Sequence, residues 1–460
     1  MQNYDLVVIG SGPGGQRAAI QAAKCGKSVA LVERQSTIGG TCINFGTIPS
    51  KTLREAVLHL SGFHYQNLYG VDYRVKKDIT MDDLIFRVNR VVETEISVTQ
   101  AQLQRNGIEM LHGTASFRDP NHIHVENSRA TFDVSASNII IATGTKPATS
   151  PKVPFNNRNI VNSDQVFTMH VIPKTMIVVG GGVIGMEYVC MFATLGVRVI
   201  LVEKRARLLE FADAEMVEAL SYQLRDRRVT MRLNEEVDSV EETADGRVVA
   251  NLMSKKQIFA DALLYAVGRH GNVAELDLPA AGLSADSRGR ITVDEHFRTT
   301  KPHIYAVGDV IGFPSLASVS MEQGRLAAAH AFGVPVQSDP ASYPYGIYTI
   351  PQISFIGKTE EQLTDADVPY EVGIAYYREI ARGQISGEVT GRLKLIFHRE
   401  TKELLGVHII GENASELLHI GQAVFSLKGT INYFVNTVFS YPTLAEAYKA
   451  AAFNGLNRLG

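Results

Sequence analysis

Asp5-Leu6-Val7-Val8-Ile9-Gly10-Ser11-Gly12-Pro13-Gly14-Gly15 is an apolar run that ends in a cluster of glycines. The run predicts a buried strand over 5–9, and the alanine-rich stretch through about Gly26 predicts a helix. A second strand is expected from Ser28 to Val32, closed by Glu33. Gly10 permits the tight turn, Gly12 lets backbone N–H groups approach a pyrophosphate, and Gly15 lets helix and strand pack closely. Gly14 completes the loop. Glu33 is placed to accept hydrogen bonds from an adenosine ribose, with Arg34 beside it. Gly-x-Gly-x-x-Gly alone is a weak signal, and a merely tight strand–helix turn is the bland alternative. A strand before it, a helix after it and an acid at the right distance make it a dinucleotide fingerprint.

The pattern repeats. Thr175 to Val179 predicts a second buried strand, Gly180-Gly181-Gly182-Val183-Ile184-Gly185 opens a second helix, and the strand Val197 to Val202 ends at Glu203. The separation from Gly15 to Glu33 recurs between Gly185 and Glu203. Two fingerprints predict two dinucleotides, and one reaction that pairs such ligands is hydride exchange between a flavin and a nicotinamide. Glu203 suits the 2′-hydroxyl of NAD, while Lys204, Arg205 and Arg207 suit the 2′-phosphate of NADP. This turn is either such a mixed site or simply a solvated basic turn.

Bulk properties narrow the field. A chain of 460 residues is too long for one ordinary core. Its 45% hydrophobic and 20% charged residues fit a globular protein rather than a disordered one. A net charge of -3 with no long basic run argues against nucleic acid. The longest apolar runs, such as Met176 to Val179, are strand-sized, so no membrane span is expected. Met1 leads straight into a strand, with no signal peptide expected. Cys25, Cys42 and Cys190 have no zinc or disulfide spacing, which predicts a reducing, cytoplasmic setting. Cys25 and Cys190 fall on predicted helices and are expected in the core. His122 and His124 alternate on a predicted strand without further ligand spacing, so they are expected at or near the surface and no metal site is predicted. No Ser/His/Asp arrangement is evident.

Gly39-Gly40-Thr41-Cys42-Ile43-Asn44-Phe45-Gly46-Thr47-Ile48-Pro49-Ser50-Lys51 resembles the active-site helix of the flavoprotein disulfide reductases. Ile139-Ile140-Ile141-Ala142-Thr143-Gly144-Thr145-Lys146-Pro147 resembles that family's link between its two nucleotide domains. Thr300 to Asp309 resembles its second flavin motif, followed by a helix from Leu316 to Ala328. Gly268-Arg269 ends the nicotinamide domain in the family's way. The resemblance implies FAD as resident cofactor, touched also by Gly40, Thr41, Cys42, Lys51, Ala115, Thr143, Gly144 and the ribityl-binding Asp309. Gly180, Gly182, Gly185, Glu203, Lys204, Arg205 and Gly268 would hold NAD or NADP. It implies further that Lys51, on the same helix as Cys42, approaches the flavin ring near N5 and pairs with Glu187. A positive charge there stabilises the reduced ring; the bland alternative is a surface lysine.

Two positions depart from the family. Thr47 stands where the disulfide reductases carry their second redox cysteine, so this helix is not expected to cycle between dithiol and disulfide. Tyr441-Pro442-Thr443-Leu444-Ala445-Glu446 stands where they carry His-Pro-Thr and a glutamate, in an active site shared between subunits. A phenol, with an ordinary pKa of about 10, is a poor proton shuttle at neutral pH. The bland alternative for Tyr441 is simple packing at a subunit interface, and Glu446 remains. Cys42 is either a flavin-touching or peroxide-sensitive thiol or, the favoured reading, an inert or modestly tuning side chain.

The expected fold is α/β, with two Rossmann-like dinucleotide-binding domains and a C-terminal α+β unit. The flavin domain is discontinuous (1–147 and 271–340), the NAD(P) domain (148–270) is inserted in it, and 341–460 builds the interface of a homodimer or higher homo-oligomer. The expected activity is hydride exchange, NADPH + NAD⁺ = NADP⁺ + NADH, of the Si-specific type, by a ping-pong route through FAD. Lys51, Glu187, Cys42, Tyr441 and Glu446 are the candidate catalytic residues. The alternatives are a flavin reductase that serves a quinone, oxygen or a metal ion, and a non-catalytic sensor of the nucleotide ratio.

Overall fold

The computed structural model describes residues 2–70 and 72–459. Its first sheet is built around the opening run. Gln2–Ile9 pairs in parallel with Val29–Glu33 on one side and with Thr131–Ile141 on the other. Leu6, Val7 and Val8 are fully buried, as expected for a parallel strand covered on both faces. Glu109–His112 extends one edge. Ile304–Ala306 joins the other side of Thr131–Ile141, so the chain returns to this sheet after a long excursion. Thr131–Ile141 is long enough to pair with other strands before it reaches Ile139. Its first half carries an antiparallel meander of Thr114–Asp119 and His122–Glu126.

The excursion forms a second unit. Thr230–Leu233, Arg198–Glu203, Thr175–Val179, Ala262–Tyr265 and Ile160–Asn162 make a five-stranded parallel sheet. Entry and exit strands, Thr145–Pro147 and Arg269–Gly271, lie side by side in antiparallel pairing. Both fingerprint turns have the same backbone. Gly10 and Gly180 sit at φ +105° and +104°, where a side chain is strained. A methyl group on Gly15 would overlap the Gly10 carbonyl oxygen, and one on Gly185 would overlap that of Gly180.

A third unit is a five-stranded antiparallel sheet in the order Tyr345–Ile347, Gln352–Gly357, Leu404–Gly411, Arg392–His398, Tyr370–Tyr376. The helices Ala414–Ser426 and Glu446–Leu456 accompany it. It is pinned to the second unit by Lys394, whose ammonium is buried 2.9 Å from Asp213 and 3.2 Å from Glu215, with Glu360 as a further partner.

Two expectations are corrected. Cys42 and Lys51 do not share a helix: Gly40–Asn44 ends at Phe45-Gly46, and Thr47–Ser61 begins anew. Pro49 has no N–H to continue a helix from Phe45 but is tolerated in a first turn, which is where it lies. Cys25 is not in the core; it caps the end of its helix, half-buried, whereas Cys190 is fully buried.

Candidate functional site

A cavity of about 1320 Å³ is walled by all three units. Every residue expected to touch a nucleotide lines it except Gly15 and Gly185, which pack behind the loops, and Arg207, which does not reach the cavity wall and instead pairs with Glu361 at 3.6 Å.

At one end Glu33 is buried and braces its own loop. It accepts the Ser11 N–H at 3.0 Å, the Ser11 hydroxyl at 2.6 Å and the Gln35 N–H at 2.8 Å. The Ser11 hydroxyl in turn accepts the Gly39 N–H at 2.9 Å, tying the fingerprint to the Cys42 helix. Arg34 pairs with Glu275 at the rim. Asp309 stands 3.4 Å from the Thr145 hydroxyl. Burial pushes its carboxyl above the ordinary range, and Arg269 only partly offsets this.

At the centre Lys51 Nζ lies 2.8 and 2.7 Å from the two oxygens of Glu187. Glu187 is buried and also accepts the Tyr348 N–H at 2.9 Å. Lys51 sits over the Tyr348 ring, 4.9 Å from its centroid. It is thus a positioned charge, not a solvated lysine. Nearby, Cys42 is a free thiol, as are the other two cysteines. Burial pushes the Cys42 thiol up, and the Thr47 hydroxyl and Lys51 offset this only in part.

At the far end Glu203 is buried and accepts the Gly181 N–H at 2.5 Å and the Arg205 N–H at 2.8 Å. The Arg205 guanidinium folds back on the same carboxylate, with Nε 2.9 Å from Oε1 and Nη2 3.0 Å from Oε2. Burial alone would raise Glu203, but these donors hold it below the usual range. Lys204 lines the cavity and is exposed. This turn is therefore organised by an internal ion pair rather than simply solvated.

Tyr441 and Glu446 do not line the cavity of their own chain. Tyr441 is 74% exposed, close in sequence to Val438 at 89%. Glu446 Oε2 is buried without a partner. His122 and His124 are half-buried and pair with Asp119 and Asp133 at 2.8 and 2.7 Å. His64, Glu388 and Glu412 bring ligand atoms within 4.8 Å of one another, away from the cavity lining.

Sequence reasoning missed two participants. Arg269 donates to the Thr145 carbonyl and hydroxyl, both at 2.9 Å, and to Asp164 at 2.9 Å, joining the crossover strands beneath Asp309. Tyr348 comes from the third unit, and nothing in its spacing announces it.

A family model described as pyridine nucleotide-disulphide oxidoreductase matches residues 4–324, and one described as its dimerisation domain matches residues 343–452. The chain belongs to the pyridine nucleotide-disulphide oxidoreductase family. It is 52% identical over 461 residues to the soluble pyridine nucleotide transhydrogenase of Mycobacterium tuberculosis, covering 100% of this chain and 98% of that one. It is 48% identical over 462 residues to that of Photorhabdus laumondii, covering 99% of each. Among solved structures, LpdA from Mycobacterium tuberculosis superposes with a TM-score of 0.91 at 26% identity over the whole of both chains. The flavoprotein disulfide reductase RclA from Escherichia coli, as a Cu(II) complex, gives 0.88 at 26% identity over 98% and 99%. Among the described residues no helix is long and apolar enough to cross a membrane.

Family membership implies FAD and NAD(P), and the cavity fits them. A methyl group at Gly12 or Gly182 would meet nothing within 4 Å, so both loops present open backbone. Thr143 Oγ1, on the cavity wall, is buried without a partner and is free to bond a ligand.

Proposed function

We propose that the protein exchanges hydride between NADPH and NAD⁺ through one flavin, as a transhydrogenase of the Si-specific type with ping-pong order. The observation that carries this reading is Thr47 beside Cys42 in a cavity with two nucleotide-binding ends. Electrons that reach the centre meet no second sulfur to carry them onward. The full-length likeness to chains named soluble pyridine nucleotide transhydrogenase supports the same reaction.

When bound, the flavin supplies a ring that takes up and returns hydride. The chain's own residues do the rest. Gly10–Gly15 and Gly180–Gly185 orient the two pyrophosphates with backbone N–H groups and helix N-termini. Lys51, fixed by Glu187 and Tyr348, would place a positive charge beside the flavin ring, where it would favour the electron-rich state. No proton need be moved by a side chain, which accords with Tyr441 in place of a histidine. Thr145, Asp309 and Arg269, already joined to one another, would hold the ribityl end. We further propose a homodimer whose face includes Val438 and Tyr441, and a cytoplasmic setting, which the three free cysteines support.

The test is anaerobic. The flavin-loaded protein is bleached with NADPH, freed of nucleotide and mixed with NAD⁺. Return of the yellow absorbance with formation of NADH is expected. Faster return with a quinone than with NAD⁺, or brisk reduction of glutathione disulfide or lipoamide, would overturn the proposal.

A further inference from the structure

The two fingerprint sites fold so alike that the first serves as an internal control for the second. Glu33 accepts the N–H of Ser11 in its loop and of Gln35 two residues on; Glu203 accepts those of Gly181 and Arg205. The site-forming side chain differs: glutamine at 35, arginine at 205. Arg205 turns its planar fork onto the buried Glu203, while its side chain stays 37% exposed on the cavity wall.

We propose that Arg205 discriminates between the two nicotinamide nucleotides by exchanging partners. For NADP(H), the 2′-phosphate competes with Glu203 for the guanidinium. For NAD(H), the Glu203–Arg205 pair stays closed beside a neutral ribose. A guanidinium fork matches phosphate and carboxylate alike, so the exchange preserves its geometry. Glu203 is not stranded when Arg205 leaves, because it keeps the Gly181 and Arg205 backbone N–H groups. Its competition weakens the grip on phosphate and lets NADP⁺ vacate a pocket that NAD⁺ must then enter. The inference rests on the transhydrogenase reading, since there one pocket serves both nucleotides in turn. Arg207 is drawn away to Glu361 at 3.6 Å, and Lys204 has no fork.

The flavin-loaded protein is titrated anaerobically with NADPH and, separately, with NADH, and flavin bleaching is read. Arg205→Gln, which copies position 35, is expected to weaken NADPH by about ten- to hundredfold and NADH far less. The salt dependence of the NADPH titration should flatten as well. Glu203→Gln is expected to tighten NADP⁺ and slow its release. Retained flavin colour and NADH bleaching verify that the variants fold. Equal weakening of both nucleotides by Arg205→Gln, or no weakening, would overturn the inference. So would an NADPH-selective loss in Lys204→Gln with none in Arg205→Gln. If the wild-type flavin bleached by NADPH is not restored by NAD⁺, the transhydrogenase reading fails, while the NADPH/NADH split still reports on Arg205.

Discussion

The two ends of the cavity start from one backbone and finish as different kinds of site. At the first, Glu33 and the Ser11 hydroxyl clamp the fingerprint to Gly39 and hence to the Cys42 helix. At the second, Gly181 replaces Ser11, no hydroxyl bridge exists, and the carboxylate is held by a half-exposed arginine. A carboxylate held only by uncharged donors suits a ligand that stays, and one held by a cation that a phosphate can also attract suits one that comes and goes.

The largest effect should come from breaking each loop in turn. Gly15→Ala forces a methyl group into the Gly10 carbonyl, an overpacking that costs about 1–3 kcal/mol or more. The product is expected to be nearly colourless, with both half-reactions lost. Gly185→Ala makes the same clash with Gly180. It should stay yellow and be bleached by dithionite, yet lose bleaching by NADPH and NADH together. Flavin-to-protein absorbance ratios and anaerobic titration distinguish the two. If both variants lost flavin equally, the assignment of one loop to each ligand would fall.

Where the ends meet, Lys51→Gln removes the charge proposed to face the flavin ring and leaves Glu187 with the Tyr348 N–H. Stopped-flow bleaching by NADPH should slow by about tenfold to a hundredfold, on the scale of losing one fixed electrostatic donor. NADPH affinity should change much less, because the lysine is distant in role from either loop.

How much of this was legible follows from the range of the interactions. The glycine loops were readable because their constraint is local: only glycine passes two backbones so close. The break before Thr47 was also written locally, in Gly46 and Pro49, but the family likeness of the whole stretch obscured it. The Lys51–Glu187 pair was reached through that likeness, and the distances bear the pairing out. Tyr348 and Arg269 were not legible, because their partners come from units that meet only on folding. The pairing of Arg205 with Glu203 joins residues two apart, yet competing exposed cations at 204 and 207 gave the sequence no means of choosing among them.

A smaller effect should separate the ends by pH. Asp309, raised by burial, binds its proton more tightly in the folded state, so its contribution to stability is full below the unfolded carboxylate value of about 4 and is lost as pH rises through the higher folded value. Glu203 is held low, so its contribution is present above the unfolded value and lost as pH falls through the folded one. Asp309→Asn should therefore flatten a decline in Tm above about pH 4, and Glu203→Gln should flatten a decline on the acid side. Shifts of about 1–2 °C are expected in each case. Identical pH profiles for the two variants would mean that the carboxylates share one environment after all.

The smallest effect is expected at the residue that most invites a large one. Cys42 lies on the cavity wall between the two ends, where a reactive sulfur would matter most. Burial holds its proton on, Thr47 offers a hydroxyl rather than a second thiol, and the nucleophile in sulfur chemistry is the thiolate. Cys42→Ala should therefore exchange hydride between NADPH and NAD⁺ within about threefold of wild type, the loss reflecting packing beside the ring rather than chemistry. The measurement is initial rate against both nucleotides, with glutathione disulfide as a control acceptor that neither protein reduces. A hundredfold loss would put the sulfur in the electron path, and the contrast between a resident flavin and a passing nicotinamide would then need a third station between them.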